Sequence, residues 1–197
     1  MKKATAITIS LAIFLFPTLT GNAQETINRK TYSSSGTICI VETEVDLFTE
    51  EEIHMITCVA PEGLIEKNLI GFTVEIGATE EKNTIVLQIA NELDSADIGY
   101  KDALIKIDQN VPYTIESVFN SDDLLGITIN EFGPTSNESK YFLMNVKNGK
   151  QRLMMRIEPR YSYVALTEAM PLNSQVTEAI EDFLNRTENL PAFRILD

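Results

Sequence analysis

The chain has 197 residues and carries 29 Asp and Glu against 16 Lys and Arg, a formal net charge of −13. Such a surface repels nucleic acid and anionic lipid, so neither is expected as a partner. One histidine, two cysteines and no tryptophan exclude a histidine- or thiol-rich zinc cage, and they leave few means of stacking sugars.

The N-terminus has the three parts of an export signal. Lys2 and Lys3 form a positive start, residues 6–16 are apolar and uncharged, Pro17 breaks the run, and Gly21-Asn22-Ala23 offers a small-x-small cleavage site. A membrane span needs about 20 apolar residues, and this run is roughly half that. Residues 1–23 are therefore expected to be a cleaved signal peptide, which makes the protein periplasmic or secreted. Cleavage leaves 14 basic and 29 acidic residues, a net charge of −15. No later segment is apolar enough to anchor the chain in a membrane.

Residues 24–36 are polar and contain Ser33, Ser34, Ser35 and Gly36. They are expected as a flexible arm ahead of a single domain over residues 37–197. From Thr37 the pattern alternates. Cys39, Val41, Val45 and Leu47 fall on one face and Glu42, Glu44 and Asp46 on the other, the period of a half-buried strand. Residues 53–60 suit a second strand. A hairpin turning near residues 48–52 would bring Cys39 opposite Cys58. An even pair of cysteines in an oxidising compartment suggests a disulfide. Against the hairpin stands a short helix from Thr49, because Thr49 and Glu52 match a capping box.

Further strands are expected at 69–77, 84–91, 103–108, 113–119 and 124–132, with polar turns between them. Many short strands punctuated in this way argue for a mainly β fold, an antiparallel β-sandwich. Residues 136–159 allow two readings. Asn148-Gly149 could turn a hairpin, or Ser136 or Asn137 could cap a short helix that Gly149 stops. The helix is preferred. Residues 150–158 and 161–167 then read as strands. Asn173 or Ser174 caps a C-terminal α-helix to about Arg186, with Val176, Ile180, Phe183 and Leu184 at helical spacing. Residues 192–196 could add an edge strand.

Catalytic patterns are scarce. His54 is the one histidine, it has apolar neighbours, and no nucleophile motif accompanies it. Asp122-Asp123 lacks the alternation and closing Glu of a calcium loop. No phosphate-cradling glycine loop is present, so no cofactor and no metal are expected. Lys147, Lys150, Arg152, Arg156 and Arg160 gather in one short stretch of this acidic chain, and on a strand Arg152 and Arg156 share a face. That basic strip can dock an acidic partner, an envelope protein for instance, or simply form a solvated face. Asn137-Glu138-Ser139 and Asn185-Arg186-Thr187 are glycosylation sequons, meaningful in a eukaryotic secretory path.

The second half follows an order of features: Ile107-Asp108, Pro112-Tyr113, Tyr141-Phe142-Leu143 through Asn148-Gly149-Lys150, a strand to Ile157, residues 164–166, and a helix holding Ala179-Ile180. Over roughly residues 84–187 this resembles exported bacterial β-sandwich proteins of the invasion-associated locus B type. It departs from them in having Met170-Pro171 where they place a glycine, and in lacking a second cysteine pair. The resemblance implies an envelope sandwich without catalysis and transfers no site residue. The expectation is thus a non-enzymatic binding or accessory protein, its ligand a protein or a small molecule. The alternative is a secreted hydrolase using paired carboxylates or a metal.

Overall fold

The computed structural model describes residues 24–34, 36–60, 69–79, 83–90, 100–115, 119–120, 126–132, 136–159 and 166–190. The expected signal peptide, Asp122-Asp123, Arg160 and the expected strand at 192–196 lie outside them.

Three strands open the fold: β1 (Gln24–Ser34), β2 (Thr37–Asp46) and β3 (Glu52–Ala60). β2 alternates buried and half-buried residues from Thr37 to Glu44, and β3 does the same from His54 onward, so both are strands with one face in the core. The alternation breaks at the end of β2: Val45 is half-buried, Leu47 is exposed and Asp46 is buried, the reverse of the expected faces, because Asp46 turns in to bond the hairpin backbone. Their register places Cys39 opposite Cys58, and the two form a disulfide with Cα atoms 4.1 Å apart. The β2–β3 turn is a hairpin and not a helix capped by Thr49. Asp46 Oδ1 accepts from the backbone N–H groups of Phe48 (2.9 Å) and Thr49 (3.1 Å), and Glu50 takes a left-handed conformation, φ 58°.

Residues 24–34 correct the expectation of a flexible arm. They pair antiparallel with β2 from Gln24↔Asp46 to Ser34↔Thr37, with a bulge at Ile27. Gly36, at φ 87°, makes the turn. Side-chain contacts fasten this edge strand to the region of the last helix: Asn173 Nδ2 donates to Ser34 Oγ (2.8 Å), Arg186 Nη1 donates to the Asn28 carbonyl (3.3 Å), and the Tyr32 hydroxyl bonds the Asp182 carboxylate.

β4 (Leu69–Ile76), β5 (Thr84–Ala90) and β9 (Gly126–Phe132) continue this sheet, which ends in the two-residue β8 (Phe119–Asn120) and runs in the order β1-β2-β3-β4-β5-β9-β8. A smaller antiparallel sheet has the order β11-β10-β6-β7, built from β6 (Tyr100–Ile107), β7 (Tyr113–Ile115), β10 (Arg152–Pro159) and β11 (Leu166–Pro171). The single strand expected at 113–119 is thus two short strands in different sheets, and the chain crosses between the sheets there.

Two helices complete the chain. α1 (Ser136–Asn148) is the helix preferred for that segment, and α2 (Ser174–Thr187) is the C-terminal one. Asn173 is the cap of α2: its Oδ1 accepts from Gln175 N and Val176 N. Val176, Ala179, Ile180 and Phe183 form the buried stripe of α2, which packs on β1, β2 and β3. Burying side chains such as Phe183 and Ile180 stabilises by about 1.5–3 kcal/mol each. α1 sends Phe142 against Phe72 of β4, the rings edge-to-face with centroids 5.4 Å apart. One contiguous core joins residues of both sheets and both helices, so the fold is mainly β, two antiparallel sheets closed by two helices. No helix among the described residues is long and apolar enough to cross a membrane.

Candidate functional site

The described basic residues do not form one strip. Lys147 lies on α1, and its Nζ is 3.0 Å from the Glu181 carboxylate on α2, so it joins the two helices. Lys150 lies in the turn before β10, its backbone N–H donating to Asp108. Arg152 and Arg156 are both exposed on β10 and share its outer face, because Leu153 and Met155 between and beside them turn into the core. The register adds a cation that sequence reading missed: Lys106 of β6 stands opposite Met154, between the two arginines. No local signal could have found it, since it comes from a strand more than forty residues away. Leu104 lies opposite Arg156 on the same face. The outer face of the small sheet therefore carries three cations around Met154 and Leu104.

A second feature is a cleft of about 680 Å³ between α1, β5 and the turn leading from β6 to β7. Its floor is Ile85, Leu87, Ile107 and Phe142, all buried. Val111 on the turn and Tyr141 on α1 stand at its mouth, 87% and 73% exposed. Glu138, Tyr141, Phe142 and Asn145 recur at helical spacing, so α1 shows one continuous stripe to the opening. The opposite wall is held by Asp108. That residue is left-handed (φ 51°), and its carboxylate accepts from three successive N–H groups: Lys150 at 2.7 Å, and Gln151 and Arg152 at 2.9 Å. Desolvation is the largest single effect and raises the Asp108 pKa, but the three backbone bonds and the Lys150 charge together outweigh it and hold the carboxyl below its ordinary value.

His54 is buried on β3 and faces α2. Its Nδ1 is 3.1 Å from Thr43 Oγ1 on β2. Its Nε2 lies 3.3 Å from a Glu52 carboxylate oxygen without the alignment of a hydrogen bond. Burial lowers the pKa of the ring; Glu52 opposes this and the nearby Arg186 cation adds to it. Among the described residues the hydroxyl bonded to the ring is that of Thr43, itself buried, and both cysteines are in the disulfide.

On the outer face of the large sheet Glu42, Met55 and Glu75 form one row across β2, β3 and β4, with Glu44 one step along β2. Burial raises the pKa of Glu75, and the Glu44 charge adds to the rise. Burial also raises that of Glu42, against the pull of Arg29, whose Nε is 3.6 Å away. Among the described residues no group of three or more His, Cys, Asp or Glu side chains is arranged to hold a metal ion. The hydroxyls of both sequons are buried: Ser139 in the core-facing side of α1, and Thr187 donating back to the Phe183 carbonyl at 2.9 Å.

No family model matches the chain, and no significant match to it was found among curated proteins or solved structures.

Proposed function

We propose that this protein is exported and acts as a non-enzymatic binding or accessory protein of the cell envelope, docking an acidic protein partner on the outer face of its small sheet. The observation that carries this reading is the placement of Lys106, Arg152 and Arg156 on one exposed face of a chain whose net charge is −13. A cationic face on an acidic body orients encounter with a complementary surface and discourages wrong partners. Met154 and Leu104 between the cations give that face apolar area to bury. Export is supported by the signal-like N-terminus and by the buried disulfide, which suits an oxidising compartment. The resemblance to exported envelope sandwiches agrees with it.

The test is capture from native envelope extract on immobilised protein, comparing wild type with the double variant Arg152→Glu/Arg156→Glu. A partner retained by wild type, released by moderate salt and lost by the variant is the expected result. Equal retention by both proteins removes the docking face from consideration.

A further inference from the structure

We infer that the cleft between α1 and the β6–β7 turn binds a small apolar molecule whose polar end donates hydrogen bonds, an alkylamine- or alcohol-like amphiphile and not a fatty acid. This site is separate from the cationic face and does not depend on it.

Size and lining agree with a ligand site. A volume of about 680 Å³ falls within the range of small-molecule pockets, roughly 300–1,000 Å³. The floor is apolar and belongs to the same core as Phe72, against which Phe142 is stacked, so it is a fixed surface. At the mouth, Val111 and Tyr141 expose apolar area on opposite walls. They are two of the five large hydrophobics left exposed among the described residues, and a ligand between them would cover both.

The walls are set before any ligand arrives. Asp108 ties the start of the β6–β7 turn to the residues that follow α1, through bonds to Lys150, Gln151 and Arg152. Asn110 N donates to the Ile107 carbonyl at 3.0 Å and closes that turn. The wall carrying Val111 is thus pinned to the exit of the wall carrying Tyr141. A preformed cleft spares the ligand the entropic cost of ordering it.

The polar groups select the head. Asn110 and Asn145 bring amide oxygens that accept, and Glu138 is the one charged side chain among the described lining residues. No Lys, Arg or His is among the described lining residues. In a protein this acidic, a carboxylate or phosphate head would meet repulsion from the net charge. An ammonium or hydroxyl head can donate to Glu138 and the two amides.

The experiment is a fluorescence titration of the purified protein with Nile red, an uncharged apolar dye, followed by displacement with decylamine, decanol and decanoate at neutral pH. One saturable site is expected, with decylamine displacing at about tenfold lower concentration than decanoate and decanol between them. Glu138→Gln should shrink the amine–carboxylate ratio to about twofold. Tyr141→Ala and Val111→Ser, both at exposed positions, should each weaken the dye about fivefold or more while the melting temperature holds. Absence of a saturable site overturns the proposal. So does decanoate competing as well as decylamine, or dye affinity unmoved by both mouth variants. Displacement by an apolar peptide, with all three alkyl compounds inert, overturns it in favour of a protein occupant.

Discussion

Asp108 and Arg152 bond to each other in both directions: Asp108 N donates to the Arg152 carbonyl at 2.9 Å, and Asp108 Oδ1 accepts from Arg152 N at 2.9 Å. This closes the end of β6 onto the start of β10 and fixes the turn that walls the cleft. Because the Asp108 pKa is held below its ordinary value, its bonds stabilise fully above the unfolded-state pKa and are lost as pH falls through the folded one. Asp108→Ala should destabilise by about 1–2 kcal/mol, since the site is solvent-accessible and the charge is screened. Asp108→Asn tolerates the left-handed backbone and should cost less, but it should flatten the loss of stability on acidification below about pH 4. Denaturant melts of the three proteins across that range check this; identical acid slopes would show that the carboxylate does not anchor the turn.

The disulfide joins neighbouring strands at two fully buried positions, 19 residues apart in sequence. In the chain-entropy model its closure stabilises by about 3 kcal/mol. The double variant Cys39→Ala/Cys58→Ala should lose about that much in a urea melt. Native protein should also resist reductant until denaturant is added, because no sulfur is accessible to an attacking thiolate. Intact mass gaining two hydrogens in reductant alone, without unfolding, would contradict this.

Alternation made the β2–β3 hairpin legible, and with it the cysteine pair. β1 was not legible: residues 25–31 are all exposed, so only Tyr32 marks a buried face and the serines resemble a linker. What makes it a strand is its partner β2 and its side-chain contacts with Asn173, Asp182 and Arg186, information that no local pattern carries. The site divides in the same way. Even spacing put Arg152 and Arg156 on one face, whereas Lys106 joins them only through the β6–β10 register, and Lys147 leaves them because α1 turns it towards Glu181. The cleft is lined from β5, a turn and a helix, so its parts are apart in sequence and carry no motif.

Gly149 shows a correct expectation reached for a different reason. The stop of α1 does fall there, but Gly149 is not left-handed as a helix-terminating glycine usually is. It is needed for space: a Cβ would collide with Leu172 Cδ1 and come within 2.9 Å of Ile107 Cγ2 and 3.1 Å of the Val146 carbonyl. Gly149→Ala should therefore destabilise by about 1–3 kcal/mol through overpacking, despite the better helix propensity of alanine. Pairing it with Leu172→Ala should recover part of that loss, a coupling measurable in a double-mutant cycle. Strict additivity would show that the clash with Leu172 is not the cause.

Two sets of buried ionisable groups pull the pH dependence in opposite directions. His54 has its pKa lowered, so the unfolded chain binds its proton more readily. Its contribution is complete above about pH 6.5 and declines as pH falls towards the folded value. Glu75 and Glu42 have raised pKa values, so the folded chain binds protons more readily, and their effect favours the fold below about pH 4.5 and is lost as pH rises through the folded values. At neutral pH Glu75 is a half-buried carboxylate whose neighbour Glu44 repels it. Glu75→Gln keeps the shape and removes that charge, so it should stabilise by about 1 kcal/mol at neutral pH and by nothing near pH 4. His54→Gln should remove the downward slope between about pH 6.5 and 5, whatever its absolute stability. Melting temperatures of wild type and both variants on one pH series separate the two effects. A Glu75→Gln gain that persists undiminished at about pH 4 would mean that packing, and not the charge, is what the substitution changes.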